Sequence, residues 1–255
     1  MKLATLGITV VGALLGAGCV TEGVSTMEPA SDEEQAEANL ALGIGYIQEE
    51  RPDLAIEALE RSIALQPRMA VAHSMIALAY DQTQAYSLAE EHHRRATQLA
   101  SGNADVQNGY AVFLCRRNRW EDAEPYFDRA IAVSNNVSPI NVMMNAAACA
   151  RGAEDFDAAA RFFRAALDVD PLNVEALRGA MNVSIRSANF ISGRAFWQRL
   201  DRATSLQAED LLSCYVIEVE LRDQTAAQSC ASRLRQEFPG SPVLNQLREL
   251  ERNAG

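Results

Sequence analysis

A spacing of 34 residues recurs through this chain and constrains its fold more than any other feature. Small residues mark the period at Ala55, Ala89, Ala123, Ala159, Gly193 and Ala227. The interval is 34 residues except between Ala123 and Ala159, where it is 36. Around each marker the sequence has a helical stretch, a polar turn and a second helical stretch. A fixed period of this length predicts stacked repeats, each of which buries its apolar face against its neighbours.

The period and its marker residues resemble the tetratricopeptide repeat, a pair of antiparallel helices. In the first repeat the markers are Leu42, Gly43, Tyr46, Ala55, Leu59 and Pro67. Strand signals are absent, since no alternating Val/Ile/Thr run is flanked by turn residues. We therefore predict an all-α solenoid of six helix-turn-helix repeats, with two residues inserted near Ser138 and Pro139. The expected repeats are 36–69, 70–103, 104–137, 140–173, 174–207 and 208–241.

Two details refine this prediction. The helices of one repeat approach most closely at its eighth and twentieth residues, which are small in the first four repeats. In the fifth repeat Met181 is large, and we expect Gly193 to compensate for its volume. In the sixth repeat no smaller residue compensates for the volume of Tyr215.

Residues 242–255 are expected to form a capping helix with Ser241 as N-cap and Pro242 at its first position. Its apolar side chains would cover the end of the stack: Val243, Leu244, Leu247 and Leu250.

The N-terminus predicts export and lipid anchoring. Residues 3–18 carry no charge, but they are shorter than the roughly 20 residues that span a bilayer, and they end in small residues typical of a signal-peptide cleavage site. Cys19 resembles the acylated cysteine of bacterial lipoproteins, which carries a diacylglycerol and a third chain, palmitate; Gly16 replaces the usual leucine of that motif. An ordinary signal peptide with an incidental cysteine is the alternative. By this resemblance residues 1–18 are the signal peptide, residues 19–35 a flexible tether, and the destination is the periplasmic face of the outer membrane.

Composition and motifs argue against several function classes. The formal net charge of −11 disfavours binding to nucleic acid or anionic lipid through general electrostatics. The sequence has no Gly-rich phosphate loop, no zinc-protease motif and no hydrolase elbow. His92 and His93 are adjacent on one helix, so they diverge by about 100°, and we expect both on the surface. We predict a protein without catalytic residues, metal or cofactor, which acts as a monomer by binding other proteins.

Four cysteines remain once Cys19 is assigned to the anchor. Four cysteines allow three pairings, and the periplasm is oxidising. Cys115 and Cys149 lie on first helices of adjacent repeats, which stack side by side, and we predict a disulfide between them. Cys214 and Cys230 lie on the two antiparallel helices of the sixth repeat and form a possible second pair. Free buried thiols are the alternative in both cases.

The predicted interaction surface is a groove lined by the first helices of the repeats, at roughly their second, fifth, ninth and twelfth residues. Apolar residues at these positions predict a partner-binding site for an amphipathic helix: Leu40, Ile44, Ile47, Val71 and Leu78. This stripe differs from the expected core stripe of Leu42, Tyr46 and Leu59. A lid or the tether could cover the groove instead.

A second groove surface is expected in the fifth repeat. There Arg178, Asn182 and Arg186 make a basic strip in an acidic protein. Such a strip could meet an acidic segment of a partner, although a solvated helix face is the alternative.

The stretch "NGYAVFLCRRNRWEDAEPYFDRAI" (108–131), followed by Cys149, resembles the type IV pilus biogenesis/stability lipoproteins, the pilotin family. The resemblance covers nearly the whole chain. It implies that the partner is the outer-membrane secretin of the type IV pilus, which the protein would escort to the membrane and assemble into a ring without catalysis. The rival hypothesis is a lipoprotein scaffold for cell-wall enzymes or for outer-membrane protein assembly.

Overall fold

The computed structural model of the protein describes residues 30–133 and 139–254. Within these ranges the chain forms thirteen α-helices, arranged as six antiparallel pairs and a final single helix. The helices are α1 Asp32–Gln48, α2 Pro52–Leu65, α3 Ala70–Gln82, α4 Tyr86–Leu99, α5 Ala104–Arg116, α6 Trp120–Ala132, α7 Pro139–Gly152, α8 Phe156–Val169, α9 Val174–Arg186, α10 Phe190–Ala203, α11 Ala208–Glu220, α12 Gln224–Glu237 and α13 Val243–Ala254. The first helix of each pair also contacts the first helix of the next. The predicted all-α repeat solenoid is confirmed.

The turn inside each repeat is built the same way. The residue at its apex has a positive φ of 55–63°, in the left-handed region that non-glycine residues rarely adopt. These residues follow the repeat period and differ widely in chemistry: Glu50, Gln84, Asn118, Glu154, Ala188 and Arg222. In the first repeat, the amide of the next residue, Arg51, donates to the carbonyl of Tyr46 (2.9 Å). This closed turn reverses the chain and sets the two helices antiparallel.

The core follows the small residues that mark the period. Ala55, Ala89, Ala123, Ala159 and Ala227 are all fully buried, which lets the paired helices approach closely. Gly193 behaves differently from the prediction. The atoms nearest to a β-carbon added at Gly193 would belong to Ile217 of the next repeat (3.2 Å) and to Ser184 (3.6 Å), rather than to Met181. Gly193 therefore makes room chiefly for a residue of the neighbouring repeat.

Both ends of the described solenoid have defined caps. The hydroxyl of Ser31 accepts from the amide of Glu34 (3.2 Å), whose carboxylate accepts from the amide of Ser31 (2.7 Å), a capping box. Helix α1 thus begins at Asp32, and residues 32–35, expected in the tether, are helical. At the other end the amide of Val243 donates to the Ser241 hydroxyl (3.2 Å), and Val243 and Leu247 are buried against α11 and α12.

The predicted signal peptide, Cys19 and the tether up to residue 29 lie outside the described residues, as does Ser138 at the predicted insertion. Across 30–133 and 139–254, no helix has both the length and the apolar character required to cross a membrane.

Candidate functional site

The predicted apolar stripe divides into two parts in the structure. Leu40 and Ile47 are half-buried and pack against the core cluster that contains Leu59 and Ile76. Leu42, expected in the core, is 44 % exposed, so that prediction is wrong. The cause is the rotation of α1 about its axis, which turns Leu40 and Ile47, rather than Leu42, towards α2 and α3.

The remaining members of the stripe are accessible. Ile44 and Leu78 are half-buried, and Val71 is 40 % exposed. These three residues leave an apolar surface on the first helices of repeats one and two, whereas Leu42, two residues before Ile44 on the same helix, faces another direction. Exposed apolar residues on neighbouring helices are typical of an interaction surface.

A cavity of about 320 Å³ opens between α3, α5 and α7, next to this surface. Ser74, Leu78 and Asp81 are the fifth, ninth and twelfth residues of the predicted second repeat, which are groove positions, and the structure brings all three into the wall of this cavity. The full lining is Ser74, Met75, Leu78 and Asp81 of α3, His93 of α4, Asp105, Asn108, Gly109, Val112, Phe113 and Arg116 of α5, and Asn145 of α7. We call this the His93 pocket. Its walls combine apolar side chains with a few polar groups, as small-ligand and side-chain sites do.

An ion cluster forms part of the pocket wall. The Asp81 side chain is 8 % exposed and accepts hydrogen bonds from Arg116 (3.3 Å) and from Arg117, one on each carboxylate oxygen. The Arg117 guanidinium lies over the ring of Tyr86, 3.5 Å from its centroid. Both oxygens of Asp81 are therefore engaged, and α3 is tied to the end of α5.

His93 lines the pocket and is 4 % exposed. Its ring stacks on Tyr110 and packs against Phe113, with centroids 5.6 and 5.2 Å away. Its Nδ1 is buried and has no hydrogen-bond partner among the described residues. Burial lowers the pKa of His93 to about 4, so the ring is neutral at pH 7. The prediction of a surface histidine is wrong, because α4 turns this face towards α5.

His92 points in a different direction, as its adjacent position requires. It is half-buried, and its Nδ1 lies 2.9 Å from Nδ1 of His73. Nε2 of His73 lies 3.1 Å from the Pro67 carbonyl, to which it must donate; Nδ1 of His73 therefore accepts from His92. Burial lowers the pKa of both histidines. Within the described part of the chain, no group of three His, Cys, Asp or Glu side chains could hold a metal.

The basic strip of the fifth repeat is not a free positive surface. Arg178 donates through Nε and Nη2 to both oxygens of Asp210, each at 3.0 Å, and Asp210 is buried. Asp210 also accepts from the backbone amide of Gln207 (2.9 Å). Arg186 lies 3.5 Å from Glu154 on the surface. The interpretation of Arg178 as a contact for an acidic partner is wrong, because its charge is neutralised inside the solenoid.

The cysteine pairs lie where the repeat register puts them. The Cα atoms of Cys115 and Cys149 are 5.7 Å apart, and those of Cys214 and Cys230 are 6.0 Å apart. Both distances suit a disulfide bond. Their oxidation in the cell stays a prediction.

Sequence reasoning missed His93 and Gly109 as pocket residues. A signal was present, since His93 lies 34 residues after Leu59 and 34 before Phe127. A polar residue at a repeat position that is otherwise apolar indicates that packing alone does not explain why this residue is there.

Comparison with known proteins agrees with this architecture. Two models of the tetratricopeptide repeat match residues 40–104 and 103–171. The type IV pilus assembly protein PilF of Pseudomonas aeruginosa is 25 % identical over 235 residues, which cover 88 % of this chain and 90 % of that protein. An uncharacterised protein of Haemophilus influenzae is 26 % identical over 139 residues, covering 54 % of this chain and 76 % of its own.

Two solved structures have the same fold. The type IV pilus biogenesis factor PilW superposes with a TM-score of 0.62 at 23 % identity, covering 83 % of this chain and 97 % of that one. The PilF structure from Pseudomonas aeruginosa superposes with a TM-score of 0.65 at 22 % identity, covering 86 % and 98 %. The predicted resemblance to type IV pilus biogenesis proteins is confirmed. The chain therefore belongs to the tetratricopeptide-repeat proteins and is a homologue of the type IV pilus assembly protein PilF.

Proposed function

We propose that this protein is an outer-membrane lipoprotein that binds the secretin subunit of the type IV pilus and promotes its localisation and multimer assembly. The observation that carries the proposal is the similarity to PilF along nearly the whole length of both chains. The signal-peptide pattern of residues 1–18 and the lipobox-like Cys19 support anchoring at the periplasmic face. Two or more acyl chains on Cys19 would hold the protein at the membrane stably.

The groove supports a binding role rather than catalysis. Ile44, Val71 and Leu78 leave apolar surface on the first helices of repeats one and two. A partner helix with an apolar face would cover this surface, and each fully buried side chain of this kind contributes about 1.5–3 kcal/mol. Leu40 and Ile47 belong to the same predicted site, but they also pack in the core. They would support the surface from beneath.

The disulfides are part of the proposal. A Cys115–Cys149 bond would join repeats three and four across 34 residues, and a loop of this length is stabilised by about 3–4 kcal/mol in the chain-entropy model. A Cys214–Cys230 bond would join the helices of repeat six. Non-reducing mass spectrometry of periplasmic protein would find both bonds; alkylatable thiols at these positions would contradict them.

The test of the binding site uses three aspartate variants. Val71→Asp and Ile44→Asp each replace an apolar groove residue by a charge, so we expect secretin affinity to fall about tenfold to a hundredfold. Ile191→Asp is the matched control, because Ile191 is 77 % exposed on α10 in repeat five. Binding is measured with purified secretin subunits by calorimetry.

Thermal unfolding separates lost contacts from lost folding. Val71→Asp should melt close to the wild type, since Val71 is well exposed. Normal secretin binding by Val71→Asp and Ile44→Asp would exclude this groove as the site. Failure of the wild type itself to bind secretin would overturn the proposed function.

A further inference from the structure

One register position of the second helices distinguishes repeat two from its neighbours. The side chains at this position are Leu59, His93, Phe127, Phe163 and Trp197. Phe127 and Phe163 are buried in the main core cluster, and Leu59 is fully buried. His93 therefore occupies a place where four of the other five repeats have a large apolar residue and the sixth has the buried Ala231.

The histidine is not explained by a structural hydrogen bond. Among the described residues its buried Nδ1 has no partner, and leaving such a group unsatisfied costs about 1–3 kcal/mol. A buried polar group without a partner in a native protein calls for an explanation. A ligand that supplies the missing hydrogen bond is one.

The edge of the ring that carries Cε1 lies beside Gly109. A β-carbon added to Gly109 would lie 3.8 Å from Cε1 of His93, the ring atom bonded to both nitrogens, and 3.5 Å from Oγ of Ser74. The equivalent pair in repeats four and five is closed, because a β-carbon on Gly179 would lie 2.3 Å from the ring of Phe163. At Gly109 the missing side chain instead leaves space beside the imidazole.

The chemistry of the pocket limits what can enter. An anion is disfavoured, since Asp81 and Asp105 line the wall and the imidazole is uncharged. A cation is disfavoured as well, because both oxygens of Asp81 are engaged by arginines and the guanidinium of Arg116 belongs to the same wall, while Asp105 is exposed to solvent. Leu78, Val112 and Phe113 provide apolar walls. The fitting group is therefore neutral and largely apolar, with a polar tip.

We propose that the His93 pocket receives a tyrosine side chain of the partner, whose phenol hydroxyl hydrogen-bonds the imidazole of His93. A hydroxyl both donates and accepts, so it satisfies either neutral tautomer. The ring would lie between Leu78 and Val112, and serine or threonine would leave most of the 320 Å³ empty. The pocket adjoins the apolar surface of repeats one and two through Leu78. The identification of the partner as a secretin segment rests on the proposed function, whereas the preference for a phenol does not.

The test titrates the full-length lipoprotein in detergent with N-acetyl-tyrosinamide, and with the phenylalanine and lysine analogues in parallel. Histidine labelled with carbon-13 gives signals from three residues, and labelled valine reports on Val112 in every variant. We expect the tyrosine analogue to shift the His93 and Val112 signals and to bind about tenfold more tightly than the phenylalanine analogue, as one net hydrogen bond predicts.

Two variants make the result specific. His93→Phe introduces the phenylalanine that repeats three and four have at this position. It should abolish the preference for the tyrosine analogue over the phenylalanine analogue. Gly109→Ala should weaken both analogues, because its methyl group enters the pocket. Equal binding of the two analogues to the wild type, a preference that survives in His93→Phe, stronger binding of the lysine analogue, or no shift up to the solubility limit would each overturn the proposal.

Secretin binding is then measured for the same variants. A wild type that prefers the tyrosine analogue but does not bind secretin would refute the proposed function and leave the pocket assignment standing. Equal secretin affinity of wild type, His93→Phe and Gly109→Ala would show that the secretin does not use the pocket, and would overturn that part of the inference.

Discussion

Two interfaces between repeats use the same pair of positions with opposite results. One lies between repeats two and three, and the other lies between repeats four and five. In each, an aromatic ring from a second helix faces a glycine sixteen residues later on the next first helix: His93 with Gly109, and Phe163 with Gly179. Phe163 fills its space so closely that a β-carbon on Gly179 would lie 2.3 Å from the ring, whereas the corresponding distance to His93 is 3.8 Å. The smaller, polar ring leaves a cavity where the phenyl ring completes a core.

The difference shows how a solenoid can carry a site without changing its fold. Phe163 is 2 % exposed and belongs to the main core cluster, most of whose residues lie in repeats three to five. His93 is almost as buried, yet it keeps a polar atom that has no partner among the described residues. Because each repeat contacts chiefly its neighbours, one repeat can lose packing energy locally while the others hold the stack.

The largest difference between the two interfaces is expected when a methyl group is added to each of the two glycines. In Gly179→Ala the new β-carbon would lie within 2.9 Å of three atoms of Phe163, so the ring must move. Overpacking of this kind should lower the free energy of unfolding by about 2–3 kcal/mol, more than the gain in helix propensity. Chemical denaturation measures it; a variant as stable as the wild type would mean that the ring of Phe163 relocates freely.

Lowering the pH should reduce the stability that the interface at His93 contributes, but not the stability that the interface at Phe163 contributes. The folded-state pKa of His93 is about 4, below the value of about 6.5 in the unfolded chain. The unfolded state therefore binds the proton first, and stability falls as the pH drops from 6.5 towards 4. At pH 5 the loss from His93 is about 2 kcal/mol, and His93→Phe should lack it.

The measurement for this prediction is the unfolding free energy of wild type and His93→Phe at pH 7.5 and pH 5. The charged and titratable groups acting on His93 are Asp81, Glu90 and His92, and they are present in both proteins. If the unfolding free energies of the two proteins differed by the same amount at both pH values, the assigned burial of His93 would be contradicted.

At pH 7 the same substitution should stabilise the protein. His93→Phe removes the buried, unsatisfied nitrogen and places on Tyr110 and Phe113 the ring that repeats three and four use at this position. We expect a gain of about 1 kcal/mol in unfolding free energy. A loss of stability would show that the imidazole makes a structural hydrogen bond in solution, for example through a bound water.

The smallest effect is expected for Gly109→Ala. Its β-carbon would meet Ser74 at 3.5 Å and His93 at 3.8 Å, both ordinary contacts. Helix propensity favours alanine by up to about 1 kcal/mol, so the melting temperature should stay unchanged or rise slightly. A clear destabilisation would mean that this interface is as tightly packed as the one at Gly179, and the comparison would fail.

The sequence predicted the architecture well because its signals repeat. Six alanine or glycine markers at one period, each between two helical stretches, indicated the helix pairs, their number and the final capping helix. Ser74, Leu78 and Asp81, at predicted groove positions of repeat two, line the pocket, and their role in binding a partner stays a prediction. Periodicity worked poorly where the rotation of one helix mattered: Leu42 is exposed and Leu40 packs inside.

The order of the helices and their nearest-neighbour stacking can be read from the sequence, because both follow from a local pattern repeated six times. Which side chains meet across repeats depends on the tertiary structure. Asp210 neutralises Arg178 from 32 residues away, and His93 faces Gly109 across a cavity. These meetings depend on small rotations of one helix against the next and on the volume of single side chains. A period of 34 residues carries no information about either.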